Sequence, residues 1–276
     1  MSYKAICSDI DGTLLNKDRV LSERTIAAIK GLPRDVQVIL ASSRMPAAMR
    51  HLQVDLDIVQ QPLICYNGAY IIAPDGQGGQ VELHSSPVPV DICAELNGFT
   101  SGIDLHLGLY FADEWFVRGE DYWSNREENN TRVKSEVAHF ESVLQRWELE
   151  GKGGHKLMCM GEGEKVQAAE DFLRERYGDI LHLYRSKDTY LEISHRSISK
   201  ASALEKVIDH LGSFAMQEVV AFGDNYNDMD MLQAVGLGVA VANARPEVLE
   251  MADATTLGNK ADGVAIAIEK YFLGGI

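Results

Sequence analysis

The sequence predicts an α/β protein built around a parallel sheet, with that domain interrupted by an inserted α+β domain. Three observations carry the prediction. Short apolar runs alternate with amphipathic helical segments in the first part of the chain, the rhythm of strands joined by helical crossovers. The middle changes to hairpins and two-sided strands. After residue 195 the first rhythm resumes and runs to the end. A length of 276 residues suits one large domain or two moderate ones, and the split pattern favours two.

The elements follow in order. Residues 3–8 form an apolar run that stops at Asp9. Ser22 is a good N-cap for a helix reaching about residue 32, where Gly31-Leu32-Pro33 ends it. Residues 36–41 are a second run, and Pro46 suits the first turn of the next helix. A third strand is expected at 63–66. Residues 70–73 and 81–84, joined through Pro74-Asp75-Gly76, read as a hairpin, and Pro87-Val88-Pro89 reads as a linker. In the insertion, runs at 105–111 and 115–118 flank Ala112-Asp113-Glu114. Helices are expected near 140–150 and 164–177, and strands at 156–160 and 190–194. The final part predicts a helix at 199–211, a strand at 219–222, a helix at 228–235, a strand at 237–242, and helices at 246–252 and 262–272. The boundaries predicted are 1–84 and 189–276 for the core and 85–188 for the insertion.

Composition narrows the function. There are 26 Lys+Arg against 41 Asp+Glu, a net charge of −15, which disfavours nucleic acid as a partner. A small anionic ligand is still compatible, since one local cationic site overrides the global field. Hydrophobic residues at 46% and charged residues at 24% are ordinary for a globular chain. Cys7, Cys65, Cys93 and Cys159 form no CxxC pair and read as buried core residues, which suits a reducing compartment. The sequence shows no secretory signal and no apolar stretch of about 18 residues, so a cytoplasmic protein without a membrane partner is expected.

Four constellations carry possible chemistry. In Asp9-Ile10-Asp11-Gly12-Thr13-Leu14, two carboxylates at i and i+2 follow a strand and point the same way. The carboxyl end of a parallel strand is where open α/β sheets place ligands. This is either a polar loop that caps its own amides or a metal site in which one carboxylate is also a nucleophile. Ala41-Ser42-Ser43-Arg44, after the second run, is either a Ser cap or an oxyanion receptor of hydroxyl and backbone amides. Lys200 opens a helix, where the dipole disfavours a cation; surface lysines do this, and so do functional ones. Gly223-Asp224-Asn225-Tyr226-Asn227-Asp228 repeats the geometry of the first loop, although Asp228 would also serve as a simple helix cap.

Taken together, DIDGTL, a Ser after the second strand, an isolated Lys and GDNYND, in this order, resemble the haloacid dehalogenase superfamily of phosphohydrolases. The insertion of about 100 residues, the SSR segment, Cys65-Tyr66-Asn67-Gly68-Ala69 and GDNYNDMDML are similar to its Cof-type subfamily. The resemblance implies a Rossmann-like core with an inserted α+β cap. It implies a phosphatase for small phosphorylated metabolites such as sugar phosphates. Asp9 would be the nucleophile that forms an aspartyl-phosphate, and Asp11 the general acid and then base. Ser42, the Ser43 amide, Lys200, Asn227 and Ile10 would hold the phosphoryl group. Mg²⁺ would be bound by Asp9, Asp224 and the carbonyl of Asp11, with Asp228 supporting Lys200 or the metal. The chain departs from the family pattern at Ser43 and Ala201, where Gly is usual, and both changes are small.

The physics of that chemistry makes a further demand. Asp11 must carry a proton in the first step, so its pKa is expected to lie above that of Asp9. Arg44 and Asn67, near the strand ends, are expected substrate contacts. Tyr122, Trp123 and Arg126 lie at helical spacing and read as either a substrate wall or ordinary core and surface. A phosphomutase or a non-catalytic phosphometabolite sensor would use the same fold. Loss of a motif carboxylate would mark the sensor, and none is lost. The expected assembly is a monomer or small homo-oligomer.

Overall fold

The computed structural model describes residues 3–274. The chain divides into two compact units, one of residues 3–44, 49–84 and 199–274, the other of residues 45–48 and 85–198. Among the described residues, no helix is long and apolar enough to cross a membrane.

The first unit is built on an eight-stranded sheet. Its strands are β1 (Ala5–Ser8), β2 (Gln37–Ala41), β3 (Leu63–Cys65), β4 (Tyr70–Pro74), β5 (Gln80–Ser85), β12 (Val219–Gly223), β13 (Leu237–Val241) and β14 (Ala254–Thr256). The spatial order is β14-β13-β12-β1-β2-β3-β4-β5. The pairings from β14 through β3 are parallel, and β4 turns back antiparallel to β3. Every residue of β1 and β12 is buried, as expected for strands covered on both faces, so their sequences are continuous apolar runs without alternation. Helices α1 (Glu23–Lys30), α2 (Ala47–Leu56), α7 (Lys200–Leu211), α8 (Met229–Ala234), α9 (Pro246–Met251) and α10 (Gly263–Phe272) supply the crossovers and cover. Ser22 caps α1 by accepting the Thr25 N–H, a bond worth about 1 kcal/mol.

One topological feature places the site. From β1 the chain moves to one side, to β2 and β3; from β12 it moves to the other, to β13 and β14. β1 and β12 therefore flank the switch point of the sheet, where ligands bind. Their register pairs Ser8 with Phe222, so Asp9 and Gly223 occupy neighbouring positions at the carboxyl edge.

The second unit carries its own six-stranded sheet, ordered β10-β11-β9-β6-β7-β8. These strands are β6 (His106–Phe111), β7 (Glu114–Val117), β8 (Glu136–Val137), β9 (Lys156–Met160), β10 (Leu181–Lys187) and β11 (Tyr190–His195). Alternate residues Leu107 and Leu109, Leu157 and Cys159, Leu191 and Ile193 enter one apolar core. Helices α3 (Val90–Gly102), α5 (Phe140–Leu149) and α6 (Gly163–Tyr177) fill it. In α5 the inward residues Phe140, Val143, Leu144 and Trp147 follow the helical period. A further helix, α4 (Tyr122–Thr131), starts from a reciprocal capping box between Asp121 and Ser124.

Two sequence expectations are corrected here. The return to the first unit comes at residue 199, not 189, because β11 pairs with β9 and β10 and sends Leu191 and Ile193 into the inserted core. The expected linker at Pro87-Val88-Pro89 is docked instead: Val88 is fully buried and exchanges backbone hydrogen bonds with Gly154. All four cysteines are buried and none forms a disulfide among the described residues, three lying on strands and Cys93 on α3. Burial pushes the thiols of Cys7, Cys93 and Cys159 up to about 12, so they are inert.

Candidate active site

At the end of β1 the chain leaves the sheet through Asp9 and turns sharply at Gly12, whose φ is +91°. Gly is required there twice over. The left-handed backbone strains any side chain, and a Cβ would stand 2.4 Å from Asp224 Oδ2. The Thr13 hydroxyl donates to Asp224 Oδ1 at 3.1 Å, joining the two acidic loops.

Lys200 is the first residue of α7, held there by a capping box between Ser199 and Ser202. It is fully buried, and its Nζ donates to Asp9 Oδ1 and Asp228 Oδ1, each at 2.6 Å. Burial opposes its charge, but the two carboxylates more than offset this and raise its pKa above the ordinary lysine value. They also overcome the unfavourable helix dipole. Asp228 is fully buried, and its other oxygen accepts the N–H groups of Asp224 and Asn225 at 3.0 Å. Its carboxylate is thereby used completely within the protein. Gly223 leaves room for it, since a Cβ there would meet the Asp228 Cβ at 2.4 Å.

Asp9 differs. Its Oδ2 is buried and has no hydrogen-bond partner. Such an orphan is costly unless something else satisfies it. Burial raises the Asp9 pKa well above the carboxylate range, with Lys200 opposing and Asp228 and Asp224 reinforcing. Burial and the nearby Asp228 likewise push Asp224 up to about 6. Oxygens of Asp9, Asp224 and Asp228 lie within 4.8 Å of one another. With Asp228 committed to Lys200 and two backbone N–H groups, Asp9 and Asp224 are the carboxylates that a divalent cation fits. The cation would supply a partner to the orphaned oxygen and relieve the carboxylate repulsion that adds to burial in raising both pKa values.

Ser42 and Ser43 follow β2. Ser42 is buried, its Oγ accepts the Arg44 N–H at 3.2 Å, and its carbonyl accepts the Asn67 N–H at 2.8 Å. Asn67 sits at φ +57° and accepts a hydrogen bond from the Asn227 side chain at 2.9 Å. Ser42, Asn67 and Asn227, far apart in sequence, thus join the acidic loops at one edge of the sheet. Ile10 is fully buried, so any contact it offers a ligand is through its main chain.

Arg44 departs from expectation. Its guanidinium is buried and grips Asp11 as a fork, Nε to Oδ2 at 2.6 Å and Nη2 to Oδ1 at 2.8 Å. Burial alone raises the Asp11 pKa, but the Arg44 hydrogen bonds and charge outweigh it and bring the net value below normal. The Asp11 side chain is 40% exposed, which limits the burial contribution. The expected order, Asp11 above Asp9, is therefore reversed in this state: the Arg44 fork outweighs burial at Asp11, whereas at Asp9 burial, with Asp228 and Asp224, outweighs Lys200. The Asp11 carboxylate is held by Arg44 and is not among the three whose oxygens converge.

In the inserted unit, Tyr122, Trp123 and Arg126 do share the start of α4, with Arg126 5.5 Å over the Tyr190 ring and Trp123 edge-on to it. Tyr122 is exposed. His195 bonds Ser197 in the same unit. Sequence reasoning missed Thr13 and Asn243; the latter donates from Nδ2 to the Gly12 carbonyl at 2.8 Å. The available signal for Asn243 was a polar side chain just beyond an apolar strand, the pattern that exposed Asp9.

The family model for haloacid dehalogenase-like hydrolases matches residues 6–268. A putative phosphatase of Haemophilus influenzae is 32% identical, with 99% of both chains covered. A 5-amino-6-(5-phospho-D-ribitylamino)uracil phosphatase of Bacillus subtilis is 28% identical, with 97% of both covered. Among solved structures, a haloacid dehalogenase-like hydrolase from Bacteroides thetaiotaomicron superposes with a TM-score of 0.87 at 27% identity. That match covers 98% of this chain and 100% of the other.

Proposed function

The chain belongs to the haloacid dehalogenase-like hydrolases, and from that premise we propose that it is a Mg²⁺-dependent phosphatase of small phosphorylated metabolites, with sugar phosphates the favoured class. The observation that carries the reading is Asp9. It lies at the switch point with one oxygen fixed by Lys200 and the other buried without a partner, beside Asp224.

Asp9 attacks the phosphoryl group and releases the substrate alkoxide, leaving an acyl phosphate on its own side chain. Asp11 protonates that alkoxide and then deprotonates the water that hydrolyses the acyl phosphate. To do so Asp11 must leave the Arg44 fork, and the Arg44 guanidinium then turns to the substrate. Ser42, the Ser43 N–H and Asn227 orient the phosphoryl oxygens, with the main chain at Ile10. Lys200 balances charge at Asp9, and Asp228 fixes Lys200. Asp9, Asp224 and the Asp11 carbonyl would hold Mg²⁺, which supplies charge neutralisation between the carboxylate nucleophile and the phosphate dianion.

The reading is tested by phosphate release from a panel of sugar phosphates, nucleotides and phosphoribitylamino-pyrimidines, with Mg²⁺ and with excess chelator. Metal-dependent release from at least one sugar phosphate supports it. Interconversion of sugar-phosphate isomers without free phosphate would make the enzyme a mutase. Inertness throughout the panel would leave the sensor reading.

A further inference from the structure

Two loops bear the carboxylates of the site, one after β1 and one after β12, and their spacing decides whether a cation satisfies both. A third segment, the turn that follows β13, touches each of them. Asn243 Nδ2 donates to the Gly12 carbonyl at 2.8 Å, and the Arg245 N–H donates to the Asp224 carbonyl at 2.9 Å. The turn is itself closed by a bond from the Ala244 N–H to the Val241 carbonyl at 2.8 Å. From the loop before α10, the Asn259 N–H donates to Asn243 Oδ1, which fixes the direction of the Asn243 amide, while Asn259 Nδ2 donates to the Leu15 carbonyl; both are 2.8 Å.

The β1 loop is therefore gripped at two carbonyls, Gly12 and Leu15, by a pair of linked asparagines. Gly12 also abuts the Asp224 carboxylate, with no room for a Cβ between them. Asn243 is exposed and Asn259 half-buried, both outside the acidic cluster and the buried core, so core packing does not account for them. We propose that Asn243, braced by Asn259, is a positioning residue that sets the separation of the Asp9 and Asp224 loops and so the affinity of the site for its divalent cation. The proposal rests on the phosphatase reading.

The test uses the full-length protein and three variants, Asn243→Ala, Asn243→Asp and Asn259→Ala. Mg²⁺ affinity is measured by calorimetry without substrate, alongside kcat/KM and the melting temperature in chelator. Asn243→Ala removes the donor without adding charge, and Asn243→Asp keeps the shape but turns the donor into a charged acceptor, so the pair separates the hydrogen bond from electrostatics. Both Asn243 variants are expected to weaken Mg²⁺ binding about tenfold, the equivalent of one good hydrogen bond, with kcat/KM falling in parallel. Asn259→Ala is expected to show a smaller loss in the same direction. Wild-type Mg²⁺ affinity in the Asn243→Ala variant, or a lowered melting temperature with unaltered affinity in all three, would overturn the proposal. The wild-type arm is separate: Mg²⁺ binding without any phosphatase activity would count against the functional reading and leave the bracket to be judged on affinity alone.

Discussion

In the sheet domain the buried cation Lys200 is shared by two carboxylates whose third neighbour, Asp224, has a raised pKa, and one Asp9 oxygen is left unmatched. In the inserted domain, half-buried Arg118 is instead saturated locally. It donates to the Asn97 side chain and carbonyl, the Leu105 carbonyl and the Thr100 hydroxyl. His155 is fully buried there yet satisfied at both nitrogens, accepting from the Ala112 N–H and bonding the Ser85 hydroxyl. The contrast separates polar groups that hold a fold from polar groups kept ready for a ligand. Satisfied networks stiffen a domain, whereas an orphaned carboxylate oxygen stores an unmet interaction.

The largest effect on stability is expected at Lys200. Lys200→Met leaves Asp9 and Asp228 buried against each other without their cation, a loss of about 3–5 kcal/mol by urea denaturation in chelator, together with loss of turnover. A loss below about 1 kcal/mol would mean that the ion cluster is more solvated than its burial implies. Arg118→Met sharpens the comparison from the other side. It strands the Asn97 and Leu105 acceptors and is expected to cost about 2 kcal/mol, with kcat unchanged. Equal damage to kcat from both variants would erase the distinction between the two domains.

The smallest effect concerns His106, whose Nδ1 lies 2.7 Å from Asp121. Asp121, Glu127 and Arg118 are the charged groups around it. Burial lowers its pKa below 6.5 despite the opposing pull of Asp121. The folded state therefore prefers the neutral ring, and the unfolded chain binds the extra proton. Stability is fully present above 6.5 and declines as pH falls through 6.5 toward the folded value. His106→Gln is expected to flatten that slope, and an unchanged slope would assign it to another histidine.

The core site was legible because its signals are local. Asp9 and Asp224 each follow an apolar strand directly, and the parallel pairing of β1 with β12 brings them together. What escaped depends on side-chain contacts between distant segments. Arg44 and Asp11 are 33 residues apart, and no periodicity announces a fork between them. Asn243 reaches across 231 residues to a backbone carbonyl. In the inserted domain the helices at 140–149 and 163–177 were visible from their apolar period, whereas α4, with a polar composition and few buried residues, was legible only as three residues at helical spacing. The boundary moved for a similar reason: β11 alternates like a strand of either sheet, and only its partners decide which one it joins.

The proposed mechanism requires the Asp9 carboxylate to accept the phosphoryl group, and that is open to direct chemical capture. The enzyme is mixed with an active phosphorylated substrate and Mg²⁺, quenched in acid during turnover, reduced with borohydride and mapped by mass spectrometry. An acyl phosphate on Asp9 is reduced to homoserine, so a mass change confined to the peptide bearing residue 9, absent in Asp9→Asn, is the predicted result. Continued turnover by Asp9→Asn, or a wild-type enzyme that turns over with residue 9 unmodified at every quench time, would contradict it.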